Sequence, residues 1–283
     1  MTRLDPISLA RSFLFVPANR PERFAKALAS GAGAVIIDLE DAVALEAKPG
    51  AREQLAQAWA GFTAPERSRL LVRVNAAGTP WHFDDLQLVA NLTAEGLGGV
   101  VVPKAESADM LDALAAHTGP ACALLPMVET AAGLAAVDVL AGCPQVCRLV
   151  LGNLDFQADL GMACGPDEVE LTSVRLALVL ASRRAGRVAP VDGVTASTSN
   201  TAQLQQDIQR SHRFGFGARL CIHPSQVAVA NATLAPTAEE LDWARRVLAH
   251  LQQSGSSVFT LDGRMVDAPV LKLAERTLAL AAR

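Results

Sequence analysis

The sequence predicts an α/β fold, a (β/α)8 TIM barrel with a carboxy-terminal helical and hairpin appendage. Three observations predict it. Eight short apolar runs recur along the 283 residues, each ending in polar or charged residues. The runs are continuous rather than alternating, which suits strands buried on both faces and therefore a parallel sheet. Stretches of helical periodicity separate them, and the chain length accommodates one barrel of about 250 residues plus a tail. The composition agrees, with 51% hydrophobic residues, 4% aromatics and no Tyr, so Ala, Val and Leu fill the interior.

The expected strands are the runs 13–17, 35–38, 70–75, 100–104, 124–129, 149–155, 188–192 and 219–223. Between the first two, Pro21 opens and Gly31 closes a helix over 20–30, the usual placement of these two residues. Residues 46–60 and 81–94 are the next two helices. Ser107 caps 108–117, and Gly119 ends it. Helices over 131–141, 168–185 and 200–213 follow, and Pro224 starts a short one after the eighth strand. Thr237 with Glu240 forms a capping box for 238–252. Ser254-Gly255-Ser256-Ser257 reads as a linker, and the run from Val258 into Asp262-Gly263 reads as a hairpin before a last helix from Pro269. Residues 1–235 are thus expected to form the barrel. Residues 236–283 form an extension with no place in the barrel wall, expected to pack on a neighbouring subunit or enter a site.

Several classes of function lose support. Net charge is −4 with no basic stripe, which argues against nucleic acid. No apolar run reaches membrane-spanning length. The five cysteines are an odd number without a secretory leader, which points to a reducing cytoplasm. Cys122 and Cys221 fall in strand runs as buried thiols, and Cys143 with Cys147 lacks the further ligands of a zinc site. The chain has no Gly-x-Gly-x-x-Gly between strand and helix, no P-loop, no His-Glu-x-x-His and no Gly-x-Ser-x-Gly.

Active sites of such barrels sit at the carboxyl ends of the strands. Here those ends carry Asp38, Glu40, Asp41, Arg73, Asn75, Lys104, Glu129, Asp155 and His223. Glu129 and Asp155 end neighbouring strands and suit one Mg²⁺ completed by water and substrate oxygen. By spacing alone they equally suit helix caps or ion pairs. Arg73 suits a substrate carboxylate through two parallel hydrogen bonds, or else a rim ion pair with Asp38 or Glu40. Asp38, still on its strand, suits the orientation of Arg73 and of metal-bound water. Lys104 suits an ion pair better than a Schiff base, and His223 a strand-end hydrogen bond better than a proton relay. Asp267, just before Ala268-Pro269, is an N-cap for the last helix.

Taken in order, these segments resemble the citrate lyase β-subunit-like family of the HpcH/HpaI aldolase superfamily. The matching residues begin with Arg11-Ser12-Phe13-Leu14-Phe15-Val16-Pro17, Pro21-Glu22-Arg23 and Lys26-Ala27. They continue with Ile37-Asp38-Leu39-Glu40-Asp41-Ala42-Val43, Lys48, Ala51-Arg52, Val72-Arg73-Val74-Asn75 and Val102-Pro103-Lys104. Val128-Glu129-Thr130-Ala131-Ala132-Gly133, Leu154-Asp155, Asp159-Leu160-Gly161 and Ile222-His223-Pro224-Ser225-Gln226 complete the series.

The resemblance implies an enzyme that uses Mg²⁺, with Mn²⁺ as a substitute, on carbon–carbon bonds of acyl-coenzyme A substrates. Glu129 and Asp155 would be the metal ligands. Arg73 would hold the keto-acid carboxylate, joined in substrate binding by Arg11 and Lys104, with Asp38 in the catalytic set. Arg20, Arg23 and Lys26 would meet coenzyme A phosphates. Residues 262–269 resemble the tail of malyl-, methylmalyl- and citramalyl-coenzyme A lyases, which implies that Asp267 serves an adjacent subunit's site as acid/base. The implied reaction is reversible cleavage of such a β-hydroxyacyl-coenzyme A, or of citryl-coenzyme A, giving glyoxylate, pyruvate or oxaloacetate. A homo-trimer or homo-hexamer is expected by the same analogy. Asn153 stands where the family often has a small residue, and Arg219 follows Gly217-Ala218 where Gly-Lys is common. The first departure implies an altered surrounding of the metal, the second an altered coenzyme A or substrate contact. Three other readings stay open: an aldolase on free hydroxy-keto acids, the β subunit of a citrate lyase complex, and a non-catalytic keto-acid-binding protein.

Overall fold

Eight parallel strands close on themselves in chain order, as the apolar runs predict. In the computed structural model, which describes residues 6–281, they are β1 (Ser12–Pro17), β2 (Ala34–Asp38), β3 (Leu70–Arg73), β4 (Gly99–Val102), β5 (Ala123–Val128), β6 (Val150–Leu151), β7 (Val191–Asp192) and β8 (Ala218–Cys221). Each pairs with the next, and β8 returns to β1 with Phe13 opposite Leu220. The barrel interior is filled by Phe13, Ile36, Leu71, Val101, Leu125, Met127, Val150, Val191 and Leu220. Continuous apolar runs are needed because the residues between these pack against the helices outside.

Among the described residues twelve α-helices accompany the strands: α1 (Pro6–Leu9), α2 (Phe24–Leu28), α3 (Lys48–Trp59), α4 (Ala64–Arg67), α5 (His82–Ala94), α6 (Ala108–Thr118), α7 (Ala131–Ala135), α8 (Val137–Gly142), α9 (Asn153–Leu160), α10 (Thr172–Arg184), α11 (Thr201–Phe214) and α12 (Pro224–Thr233). Their starts follow local chemistry. Ser107 Oγ accepts from the Met110 N–H, and Thr130 Oγ1 from the Gly133 N–H at 3.0 Å, each satisfying a donor of a first helical turn.

Several boundaries differ from expectation. The helices expected over 46–60 and 168–185 begin as 3₁₀ turns, Leu45–Ala47 and Val169–Leu171. The helix expected over 20–30 begins as a 3₁₀ turn, Pro21–Arg23. The one expected over 131–141 breaks at Ala136, which leaves helical geometry. The sixth run turns helical straight after Gly152, so Asp155 occupies the first turn of α9 rather than a strand end. Gly152 packs so closely on Glu129 that a Cβ there would collide with the Glu129 carboxylate, and the strand ends at that contact.

The described residues divide into two compact units after Thr233. The second contains α13 (Ala238–Ser254), β9 (Phe259–Leu261), β10 (Arg264–Val266) and α14 (Ala268–Ala281). Its core is Ala244, Val247, Val266, Leu271 and Ala274. The Thr237–Glu240 capping box forms, and Asp262-Gly263 turns the hairpin. Arg246 ties α13 to that turn, 2.6 Å from Asp262. Among the described residues no helix is long and apolar enough to cross a membrane.

Candidate active site

Glu129 directly follows β5 and is 1% exposed. Its Oε1 accepts the Lys104 backbone N–H at 2.7 Å. Lys104 adopts φ +45°, a left-handed geometry that a non-glycine residue takes at a cost. The other oxygen, Oε2, is buried without a hydrogen-bond partner. Burial pushes the Glu129 carboxyl up to about 7, the Lys104 N–H opposes this, and Asp155 adds to it. A buried carboxylate oxygen with no donor is costly. It fits a cation that water and protein donors do not replace.

Asp155 reaches the same region from the first turn of α9 and is half-buried. A side-chain clasp holds that helix in place. Asn153 Oδ1 accepts the Val194 N–H at 2.9 Å, and its Nδ2 donates to Val194 O at 3.1 Å and to Glu168 Oε1 at 3.1 Å. A Cβ on Gly193 would collide with the Asn153 amide, so the clasp needs glycine there.

A cationic centre lies across the barrel mouth. Parallel register sets Asp38 beside Arg73. Nε and Nη2 of Arg73 each donate to Asp38 at 2.6 Å, while Nη1 lies 2.9 Å from Glu40 and 3.1 Å from Asp41. The guanidinium also sits 4.9 Å over the Phe15 ring, a cation–π contact. Burial works against its charge, but Asp38 beside it outweighs burial and raises the Arg73 pKa. Burial pushes Glu40 up to about 8, with Arg73 opposing and the surrounding acids assisting. The loops carrying these acids are anchored by buried Lys48, whose Nζ donates to Leu39 O, Glu40 O and Asn75 Oδ1 at 2.9, 2.7 and 2.6 Å.

Asp38, Asp41, Arg73 and Asp155 line a cavity of about 370 Å³ together with Phe15, Met127, Val194, Leu220 and Ile222, whereas Glu129 is not in that lining and packs behind Gly152, which is. A larger cavity, about 550 Å³, opens at the strands' amino ends around Gly98, Cys122 and Val188. That face of a barrel serves stability, and none of the candidate residues reaches it. Among the described residues no group of three or more His, Cys, Asp and Glu is arranged to hold a metal ion. A cation here would therefore rest on two carboxylates, with other positions left to water and substrate, the habit of Mg²⁺.

Several expectations need correction. The two parallel bonds expected from Arg73 to substrate are made to Asp38, so the rim ion pair forms. Asp38 accepts four hydrogen bonds, two from Arg73 and two at 3.0 Å from the Glu40 and Ala42 N–H groups. It orients Arg73 and has no oxygen left to carry a proton. Arg11 precedes β1 and therefore lies at the amino end of a parallel barrel, opposite the cavity, so it cannot bind substrate there. The Lys104 side chain is exposed, and its backbone N–H does the positioning. Arg219 is no substrate contact. It is buried on the helix side of the wall, ion-paired to Asp192 and within 3.7 Å of Asp207.

Arg20, Arg23 and Lys26 are exposed, and both arginines lie near Glu22, at 2.6 and 3.8 Å. His223 Nδ1 meets Ser225 Oγ at 2.7 Å, the local bond expected of it. Asp267 caps α14, accepting the Val270 N–H at 3.4 Å. Cys122 and Cys221 are buried, and burial pushes their thiols up to about 11 and about 12. The clasping role of Asn153 and the burial of Glu40 beside Arg73 escape sequence reasoning, because neither partner set is local in the chain.

Comparison with known proteins decides the lineage. The profile of the HpcH/HpaI aldolase/citrate lyase family matches residues 11–224. The chain belongs to this family. It is 38% identical over 271 residues to a citrate lyase subunit beta-like protein of Mycobacterium tuberculosis, covering 94% of this chain and 93% of that one. It is 32% identical over 274 residues to a (3S)-malyl-CoA thioesterase of Cereibacter sphaeroides, covering 96% and 94%. The crystal structure of the M. tuberculosis protein CitE in complex with magnesium, acetoacetate and coenzyme A superposes with a TM-score of 0.83 at 36% identity, over 98% of this chain and 100% of that one. The family is one of enzymes, lyases and thioesterases among them.

Proposed function

We propose that this protein is a Mg²⁺-dependent carbon–carbon lyase that reversibly cleaves a β-hydroxyacyl-coenzyme A into an acyl-coenzyme A and a keto acid. The observation that carries the reading is Glu129 Oε2, buried without a donor in a site where Asp155 raises its proton affinity further. Charge balance supports it. Asp38, Asp41 and Asp155 line the cavity with the single guanidinium of Arg73, an acidic lining that an added cation would offset for an anionic substrate. The M. tuberculosis relative crystallised with magnesium and coenzyme A adds support.

Glu129 and Asp155 would hold the metal. When bound, Mg²⁺ supplies a Lewis acid for the substrate's oxygen and charge for the carboxylate beside it. Lys104 N–H holds Glu129 in a single orientation. Arg73, with Nε and one Nη2 hydrogen on Asp38, keeps its second Nη2 hydrogen for the substrate carboxylate. Burial raises the Glu40 carboxyl to about 8 against the pull of Arg73, which lessens its share of the negative charge around that guanidinium. Asp267 of a neighbouring copy would exchange the proton at the carbon next to the thioester. That role requires a homo-oligomer, a trimer or hexamer by analogy. Exposed Arg20, Arg23 and Lys26 would meet coenzyme A phosphates, the two arginines exchanging their contacts with Glu22.

The test is Glu129→Gln, which keeps volume and removes the charge. Cation dependence and turnover should fall together by more than about 100-fold, since even outer partners of metal ligands cost that much. Unchanged turnover ends the proposal. A second reading, thioester hydrolysis, rests on the 32% identity to a malyl-CoA thioesterase. Release of free coenzyme A thiol from malyl-coenzyme A, without glyoxylate, would establish hydrolysis in place of cleavage.

A further inference from the structure

Six charged side chains close a ring on the helix side of β7 and β8. Leu220 and Val191 belong to the barrel interior, and side chains alternate along a strand, so Arg219 and Asp192 face the helices. Glu168 pairs with Arg175 and, at 2.7 Å, with Arg210. Arg175 meets Asp192 at 3.2 Å, and Asp192 meets Arg219. Arg219 lies 3.7 Å from Asp207. Thr195 Oγ1 joins these two, accepting from Arg219 at 2.8 Å and donating to Asp207 at 2.7 Å. Asp207 returns to Arg210 at 3.1 Å. Three carboxylates thus alternate with three guanidiniums, and each has two partners of opposite sign. A planar fork can span two partners in this way, where an ammonium is a point charge. The members come from β7, β8, α10, α11 and the turn before α10.

The ring reaches α9 by two routes. Arg175 and Arg210 both donate to Glu168 Oε2, which leaves Oε1 for Asn153 Nδ2. Glu168 adopts φ +45°, a costly geometry for a residue with a Cβ. It cannot turn away from Asn153 without breaking two charge-assisted bonds. Val194, the other partner of the Asn153 amide, directly precedes Thr195 of the ring. Both supports of Asn153 therefore end on the same ring. Asn153 opens α9, and Asp155 stands two residues on. The far end of α9 is held separately, by Asp159 accepting the Ala131 N–H at 2.8 Å.

We infer that the ring is a positioning device for Asp155 and that Glu168 is the residue through which it acts. This rests on the reading of Glu129 and Asp155 as metal ligands. Gly152 is packed against Glu129, so the direction in which α9 leaves Gly152 sets the separation of the two carboxylates. Mg²⁺ demands near-octahedral geometry, and a small swing of α9 changes what that pair can hold.

Glu168→Gln keeps the size of the side chain and sets an amide where two arginines expect a carboxylate. Glu168 and Arg210 are the outermost members, with side chains 15% and 14% exposed, so the fold tolerates changes there best. Arg210→Gln, which leaves Glu168 and Asp207 one arginine each, is the milder second variant. Two readouts apply: hydrogen exchange of the metal-free protein by mass spectrometry, and Mn²⁺ binding by electron paramagnetic resonance. In Glu168→Gln, residues 153–160 and 193–195 should exchange about tenfold faster while β2 and β3 stay unchanged. Mn²⁺ affinity should fall about tenfold, the lower end of the scale for groups that orient metal ligands. Arg210→Gln should move both readouts the same way by a smaller factor. In an Asn153→Ala background, Glu168→Gln should change Mn²⁺ affinity by less than about twofold, because its effect passes through Asn153. Unchanged exchange in α9, or faster exchange spread evenly over the barrel, overturns the inference. So does unchanged Mn²⁺ affinity in the folded variants, or full additivity in the double variant. Local loosening of α9 in a protein whose wild type binds no Mn²⁺ would sustain the ring's hold on that helix and sink the metal reading.

Discussion

Lys104 acts in this site through its backbone. The left-handed geometry at φ +45° aims its N–H at Glu129, while the ammonium stays in solvent. Glycine adopts that geometry freely. Relief of roughly 1 kcal/mol of strain and glycine's entropic cost of about 0.5–1 kcal/mol nearly cancel. Lys104→Gly should therefore keep stability within about 1 kcal/mol and kcat within about threefold, measured by urea unfolding and steady-state kinetics. A loss of 100-fold would show that the ammonium itself reaches substrate. Sequence reading assigned Lys104 to substrate binding through its side chain and did not foresee the backbone bond to Glu129, because side-chain type says nothing about a backbone donor.

At the scale of elements, the seam between β6 and β7 is the thinnest in the barrel. Those two-residue strands share one register pair, Val150 with Val191, and Asp155 hangs just beyond it. The Asn153 amide copies a backbone pairing with Val194 and extends the seam. Glu168, itself at φ +45°, braces it and is held by Arg175 and Arg210. Asn153→Ala and Gly193→Ala should each weaken Mn²⁺ binding, read by electron paramagnetic resonance, by about 10–100-fold while the protein stays folded. Equal Mn²⁺ affinity in folded variants would confine Asn153 to stability.

At the scale of the whole molecule, two features have global readouts. The first is the buried ionic cluster of Arg175, Asp192 and Arg219. Burial opposes the Asp192 charge, but Arg219 and Arg175 outweigh it and hold its carboxyl below the ordinary range. A folded pKa below the unfolded value of about 3.9 means that stability is complete above that value and lost as pH falls through the folded one. Thermal unfolding should show Tm dropping from about pH 5 downward. Asp192→Asn should flatten that acid limb and cost about 3–5 kcal/mol near neutrality, because two arginines lose their partner.

The second feature is Asp267. Asn is as good a cap as Asp, so Asp267→Asn should fold normally and lose turnover if the residue serves another copy's site. Glu129→Gln and Asp267→Asn chains, each inactive alone, should regain activity when co-expressed in mixed oligomers. Mixed oligomers without activity would place Asp267 in a structural role only.

By itself the sequence determined the architecture and the caps. Apolar continuity demands strands buried on both faces, and capping residues act within one turn, so periodicity and local chemistry suffice for both. It also brought Asp38, Arg73 and Glu129 to strand ends on one face, because parallel strands share a direction. Only the tertiary structure decided how their valences are used. Arg73 binds Asp38 since register sets them side by side, and Asp155 sits on a helix since Glu129 crowds Gly152. Arg219 faces away from the cavity since alternation turns it to the helix side. Each of these depends on contacts between residues far apart in the chain, which no local pattern encodes.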